Sequence, residues 1–147
     1  MVSVFDVAKY ILEKLGRVST WKLQKLCYYA QAWTLAWSDN HPLFNEDFEA
    51  WTNGPVCRLL FNAHKGSYTI SADELHEGDS RKLNAEEREN VDIVLQSYGD
   101  KEPWWLREKT HSEDPWKLAR EKAGVSEDAP CSEVITKESM GRYYGSL

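Results

Sequence analysis

The chain alternates stretches of helical periodicity with short polar breaks. Val4, Val7, Ala8, Ile11, Leu12 and Leu15 lie three or four residues apart, which is the spacing of one helix face. Ser3 can cap that helix and Asp6 favours its N-terminus. Gly16 stops it. Ser19 or Thr20 then caps a longer helix with the stripe Leu23, Leu26, Cys27, Ala30, Trp33, Thr34 and Trp37. Tyr28, Tyr29, Ala32 and Leu35 make its other side apolar too. A helix that is apolar nearly all round is expected at the centre of its domain.

Residues 38–42 form a turn. The aromatic alternation of residues 48–52 predicts a brief strand. Asn53-Gly54 breaks it, and Pro55 is placed to open the next helix. Val56, Leu59, Leu60 and Ala63 supply that helix's inner face, and Gly66 ends it. Tyr68-Thr69-Ile70 is the one strand-like piece of an irregular stretch, and the expected partner is residues 48–52. Asn84 with Glu87 resembles a capping box. It precedes a helix with Val91, Val94, Leu95 and Tyr98 inward and Gly99 at its end. Pro103 and Pro115 each stand near the start of a short helix. Residues 124–130 form a loop, and residues 135–144 a last short helix. The fold expected is mostly α: one compact helical domain over residues 1–147, with a small two- or three-stranded β element.

Composition narrows the function classes. Seven Trp and seven Tyr stand in 147 residues, and such rings are enriched at interfaces. The net charge of −6 disfavours direct binding of nucleic acid, which needs a basic face. A basic protein partner is easier to accommodate. Cys27, Cys57 and Cys131 are odd in number and far apart, so they are no disulfide framework. The N-terminus lacks a signal pattern, and no apolar run suits a membrane. A reduced, cytoplasmic setting follows.

Three separated blocks carry a resemblance to a known family. The first is Leu23-Gln24-Lys25-Leu26-Cys27-Tyr28-Tyr29-Ala30-Gln31-Ala32-Trp33. The second is Pro42-Leu43-Phe44, Glu49-Ala50-Trp51 and Gly54-Pro55-Val56. The third is Tyr98-Gly99 followed by Thr110-His111-Ser112-Glu113-Asp114-Pro115-Trp116, with Ala119 behind it. In this order and spacing they resemble the Panacea, or SocA-like, antitoxin domain, also described as a phage-associated protein family. The resemblance implies a type II antitoxin that neutralises a cognate protein toxin by direct binding. One branch of that family instead delivers its toxin to a cytosolic protease, which is the alternative reading. Some members add a DNA-binding segment, and none is evident here.

Candidate chemistry is sparse. His111 and Glu113 put an imidazole and a carboxylate at a loop-to-helix junction, and a small hydrolase would use such a pair. The structural alternative is that Thr110, Ser112 and Asp114 cap the helix at Pro115 while His111 bonds backbone. His41, His64, His76 and His111 are scattered, so neither metal nor cofactor is expected. Glu49, if buried, needs a partner such as Lys25 or a tyrosine hydroxyl. The motif residues from Leu23 to Val56 and from Thr110 to Trp116 therefore read as packing. For docking, adjacent Trp104 and Trp105 point about 100° apart on a helix, so one of them stays partly exposed. Asp73, Glu74, Glu77 and Asp79 form an acidic loop suited to steering a basic toxin.

Overall fold

The computed structural model describes all 147 residues. The chain runs α1 (Val4–Leu15), β1 (Val18–Ser19), α2 (Thr20–Trp37), β2 (Phe48–Trp51), β3 (Gly54–Val56), α3 (Arg58–His64) and β4 (Thr69–Ile70). It continues through α4 (Ala85–Tyr98), α5 (Pro103–His111), α6 (Asp114–Ala123), β5 (Val134–Ile135) and α7 (Lys137–Gly145). Two single 3-10 turns, Ala72–Glu74 and Ser80–Lys82, cross between β4 and α4. The mostly helical expectation holds, with two small antiparallel sheets beside the helices.

Local signals set the helix ends. Ser3 and Asp6 form a reciprocal capping box on α1, and Asn84 with Glu87 does the same on α4. Ser19 Oγ accepts the Lys22 N–H at the start of α2. α2 is the hub, as its all-round apolar pattern predicts. α1, α3, α4, α5, α7 and β3 all pack around it. Leu23, Leu26, Cys27, Tyr29, Ala30 and Ala32 are completely buried. They join one apolar core with Ile11 of α1, Leu60 of α3, Val91 of α4 and Tyr144 of α7.

The strands depart from the expected pairing. β4 does not meet residues 48–52. It pairs with β1, Val18 opposite Ile70, because α2 begins immediately after β1 and carries the Thr20 hydroxyl to the Ser67 carbonyl. β2 pairs instead with β3, Ala50 opposite Pro55, and with β5, Phe48 opposite Ile135. Gly54-Pro55-Val56 is thus a strand rather than the opening of a helix. Pro55 fits there because the edge of this sheet asks no N–H of it. Cys57 takes the N-cap position, and α3 starts at Arg58. Leu59 is exposed rather than inward, because the face this short helix buries is that of Leu60 and His64, one turn apart. Gly66 stands beyond the helix end, which is at His64.

Candidate partner-binding face

The three sequence blocks converge in space, and polar side chains do the joining. Gln24 Oε1 accepts the Cys57 N–H at 2.8 Å, and its Nε2 donates to the Cys57 carbonyl at 3.2 Å. Seven residues on, Gln31 repeats the device. Its Oε1 accepts from Leu43 N–H at 2.7 Å, and its Nε2 donates to the Phe44 carbonyl at 2.6 Å. Each buried amide completes backbone groups of a segment that has no ladder there, which would otherwise be costly. From the third block, Trp116 Nε1 donates to the Trp51 carbonyl at 2.8 Å. Arg120, four residues further, donates to the Ala50 carbonyl at 2.8 Å and to the Ser126 carbonyl at 2.7 Å. Leu23, Leu26, Tyr28, Leu43, Phe44, Ala50 and Val56 complete this arrangement as core. Trp33 donates from its indole to the Tyr98 hydroxyl at 3.1 Å, and Pro42 is half-buried.

The His111–Glu113 pair does not assemble. Glu113 Oε1 accepts from the hydroxyls of Tyr29 and Tyr144, both at 2.7 Å. Burial lifts its carboxyl above the usual range, and those two hydroxyls partly offset the shift. His111 faces away from it. Its ring stacks on Trp116 at 3.8 Å between centroids and 10° between planes, and its Nε2 has no hydrogen-bond partner. Burial, followed by the nearby Arg107 charge, lowers its pKa to about 4. The expected side-chain cap on α6 is also absent: Glu113 holds the N-cap position without a capping bond. Thr110 and Ser112 bond back to the carbonyls of Arg107 and Lys109. Pro115, in the first turn, preorganises the helix start instead.

Glu49 likewise finds a different partner from those expected. Arg58 reaches it with two donors, at 2.8 and 3.1 Å, and the Trp51 indole N–H adds a third at 2.9 Å. Lys25 is therefore left without a carboxylate. It is 1% exposed, and its ammonium donates only to the Pro55 carbonyl, at 3.2 Å. Burial, followed by the Arg107 charge, lowers its pKa to about 7. Gly54 makes room for the lysine stem. A Cβ there would fall 2.5 Å from Lys25 Cε, and φ is +113°.

Trp21, in the first turn of α2, is the surface residue around which the open space gathers. Three concavities share it. The largest, about 490 Å³, adds Trp51, Thr52, Asn53, Arg58 and residues 130–132. The second, about 260 Å³, adds Phe61, His64, Lys65 and Tyr68. The third, about 160 Å³, adds Lys25, Asn53, Pro103, Trp104 and Arg107. Lys25, Arg58, Lys65 and Arg107 line these spaces, with no aspartate or glutamate among the lining residues. The face is thus aromatic and lined by basic residues, of which Arg58 is paired with Glu49 and Arg107 with Glu108 just outside it. Trp104 is 66% exposed and Tyr68 90%, so both rings are open to a partner.

The residues singled out for docking separate. Trp104 lies on the Trp21 face. Trp105 turns toward α4, 6.4 Å from the Tyr98 ring, with Lys101 over it. The acidic loop packs over α1. Glu74 pairs with Arg17 at 2.8 Å, and Asp79 pairs with Arg81. The Asp79 N–H reaches Asp6 at 2.7 Å, closing that loop onto the helix. Asp73 and Glu77 are exposed. None of the four acidic residues lines the concavities around Trp21. Trp21, Phe61 and Tyr68 escaped the sequence reading. One signal was present for Trp21: it lies off the inward stripe that begins at Leu23.

Residues 23–117 match the family model described as Antitoxin SocA-like, Panacea domain. The chain belongs to this family. No curated protein and no solved structure matches it. The matched span begins inside α2 and ends at the start of α6. It contains the glutamine forks, the Lys25–Gly54 contact and the Trp116–Trp51 bond, while Arg120 and Tyr144, which complete the wiring, lie beyond it. An antitoxin role in general follows from the family. No helix is long and apolar enough to cross a membrane.

Proposed function

We propose that this protein is a type II antitoxin that neutralises a cognate protein toxin by binding it directly through the face centred on Trp21. The observation that carries the reading is the convergence of three concavities on one indole, ringed by exposed Trp104 and Tyr68. Interfaces draw most of their binding energy from a few Trp, Tyr and Arg anchors in such settings. The cations lining this face suit an acidic partner surface. The acidic loop over α1 would then act, at most, as a distant counterpart. A hydrolase is disfavoured because Glu113 is bonded by two tyrosines and His111 is stacked away from it.

The test is co-expression with the product of the neighbouring gene, whose toxicity this chain is expected to suppress, followed by calorimetry on the purified pair. Trp21→Ala and Trp104→Ala are each expected to weaken binding by about 2 kcal/mol, the size of a hot-spot loss. Trp105→Ala, on the other side of α5, serves as the comparison. A toxin neutralised with its lifetime unchanged supports occlusion. A toxin whose half-life shortens in the presence of this chain and a cytosolic protease would replace occlusion with delivery to degradation. Full binding by the Trp21→Ala and Trp104→Ala double variant would move the interface elsewhere.

A further inference from the structure

We propose that the smallest concavity beside Trp21 is a carboxylate pocket that receives a glutamate side chain of the bound toxin. The assignment rests on direct toxin binding as read above and names the chemistry of one contact. Two cationic groups meet in this space from different elements, Lys25 from α2 and Arg107 from α5. Neither is fully partnered. Lys25 is nine-tenths and more buried, yet its ammonium has one acceptor, a carbonyl at 3.2 Å. Its remaining N–H groups face no carboxylate. Arg107 donates through Nε to Asn53 and through Nη1 to the exposed Glu108, which leaves Nη2 without a bond.

A buried ammonium without a counter-charge is costly to the fold. The structure nevertheless builds around it. Gly54 adopts φ +113° where a Cβ would collide with the lysine stem, and the Trp21 ring lies 5.2 Å from the ammonium. The walls of the pocket are the indoles of Trp21 and Trp104 and the ring of Pro103. An occupant must therefore carry a short apolar stem and end in a planar anion. A glutamate side chain has this form: two methylenes between the rings, then two oxygens, one for each cation. A phosphate lacks the stem and loses more hydration. The face continues beyond Trp21 along α3, past Arg58 and Lys65, so a partner that enters the pocket has further surface to cover there.

Binding of this kind is linked to protons. The charged and titratable groups acting on Lys25 and its surroundings are Arg107, His64 and His111, with Glu108 held by Arg107 at the rim. None supplies a negative charge to the ammonium. A bound carboxylate does, so above pH 7 the complex takes up protons as Lys25 regains its charge.

The test uses the full chain at constant ionic strength and three probes: sodium propionate, propionamide and inorganic phosphate. Propionate is the glutamate side chain in free form. The indole N–H signals of Trp21 and Trp104 are followed by NMR. Propionate is expected to saturate both signals and propionamide neither. Lys25→Met and Arg107→Gln should each weaken propionate at least about tenfold, the loss of one charge-assisted contact. Melting curves show that each variant is folded, and Arg107→Gln stands alone if Lys25→Met fails to fold. Equal responses to propionate and propionamide, preferential saturation by phosphate, or wild-type affinity in a folded Lys25→Met overturn the pocket. Toxin binding is then measured with the same proteins. If Trp21→Ala loses the toxin while Lys25→Met and Arg107→Gln bind it fully, the pocket assignment fails and the interface stands. If the wild-type chain does not bind the toxin at all, the interface reading fails, and the assignment of a toxin glutamate fails with it.

Discussion

Lys25 and Glu113 are both buried ionisable groups that touch α2, and they are treated in opposite ways. Glu113 sits where two tyrosine hydroxyls converge on one oxygen, with Lys109 at 4.0 Å from the other. Its surroundings provide what a buried carboxyl needs. Lys25 has one carbonyl, an indole face and a neighbouring arginine that repels it. Its environment works against its charge. Lys25 belongs to the first motif block and Glu113 to the third, and the sequence alone does not tell their surroundings apart. The completed network reads as a structural tie between α2, α6 and α7. The incomplete one stands at the edge of an open space, where a partner can supply the missing charge.

The largest effect should come from breaking the completed network. Glu113→Ala strands the hydroxyl of Tyr29 in the core, leaves that of Tyr144 only Tyr28 at 3.3 Å, and opens a void. A loss of about 3 kcal/mol is expected, from unsatisfied groups plus cavity, read by urea denaturation. A loss below about 1 kcal/mol would mean the tyrosines find other partners, and the contrast with Lys25 would weaken.

Next comes Gly54→Ala. The added methyl meets Lys25 Cε at 2.5 Å on a backbone of φ +113°, for a cost of about 2 kcal/mol. Part of that cost is a clash with one side chain, so adding Lys25→Ala should recover part of it. Strict additivity in this double-mutant cycle would show that Gly54 serves the backbone alone.

Lys25→Met should stabilise the free protein at pH 7 by about 1 kcal/mol, as apolar replacement of poorly compensated buried charge often does. The pH dependence sharpens this. The folded pKa is about 7 and the ordinary value is 10.5. Between these the unfolded chain holds more protons, so wild-type stability rises with pH across that window. The advantage of Lys25→Met should shrink as pH rises from 7 toward 10.5. A constant difference would show that the lysine keeps its ordinary pKa in the folded chain.

The smallest effect concerns His111. Its pKa is lowered from 6.5 to about 4. The unfolded chain binds the proton first, so stability falls as pH drops from 6.5 to 4. His111→Gln should flatten this slope, by less than about 1 kcal/mol given the ring's partial exposure. Glu113 works in the other direction, because a raised carboxyl pKa makes stability fall as pH rises past its ordinary value. Melts of both variants between pH 4 and 7 separate the two slopes, and parallel curves would contradict the assignment.

Helix positions and the centrality of α2 were legible in the chain, because capping and 3.6-residue periodicity act over a few residues. Ser3 with Asp6, Asn84 with Glu87, and the stripe from Leu23 onward each carried their own evidence. The strands were less legible. Two-residue pieces such as Thr69-Ile70 have too little pattern to name a partner, and β1 and β5 passed unnoticed for that reason. Gly54-Pro55 carried a helix-start signal that the sheet overrode. The proposed docking face was legible only by half: one ring of the Trp104-Trp105 pair was expected to be exposed, and it is Trp104, whereas Trp21, Phe61 and Tyr68 come from three separate segments.

The sequence by itself determined the helical class, the hub helix and the family, since these depend on local periodicity and on ordered motifs. Only the tertiary structure decided the partners of the buried polar groups. Glu49 goes to Arg58 and not to Lys25, Gln24 and Gln31 hold backbone of distant segments, and His111 stacks on Trp116 while Glu113 goes to two tyrosines. The reason is physical. A buried polar group needs a partner at about 3 Å, and which group arrives there depends on how distant segments pack, a property that no local stretch of residues contains.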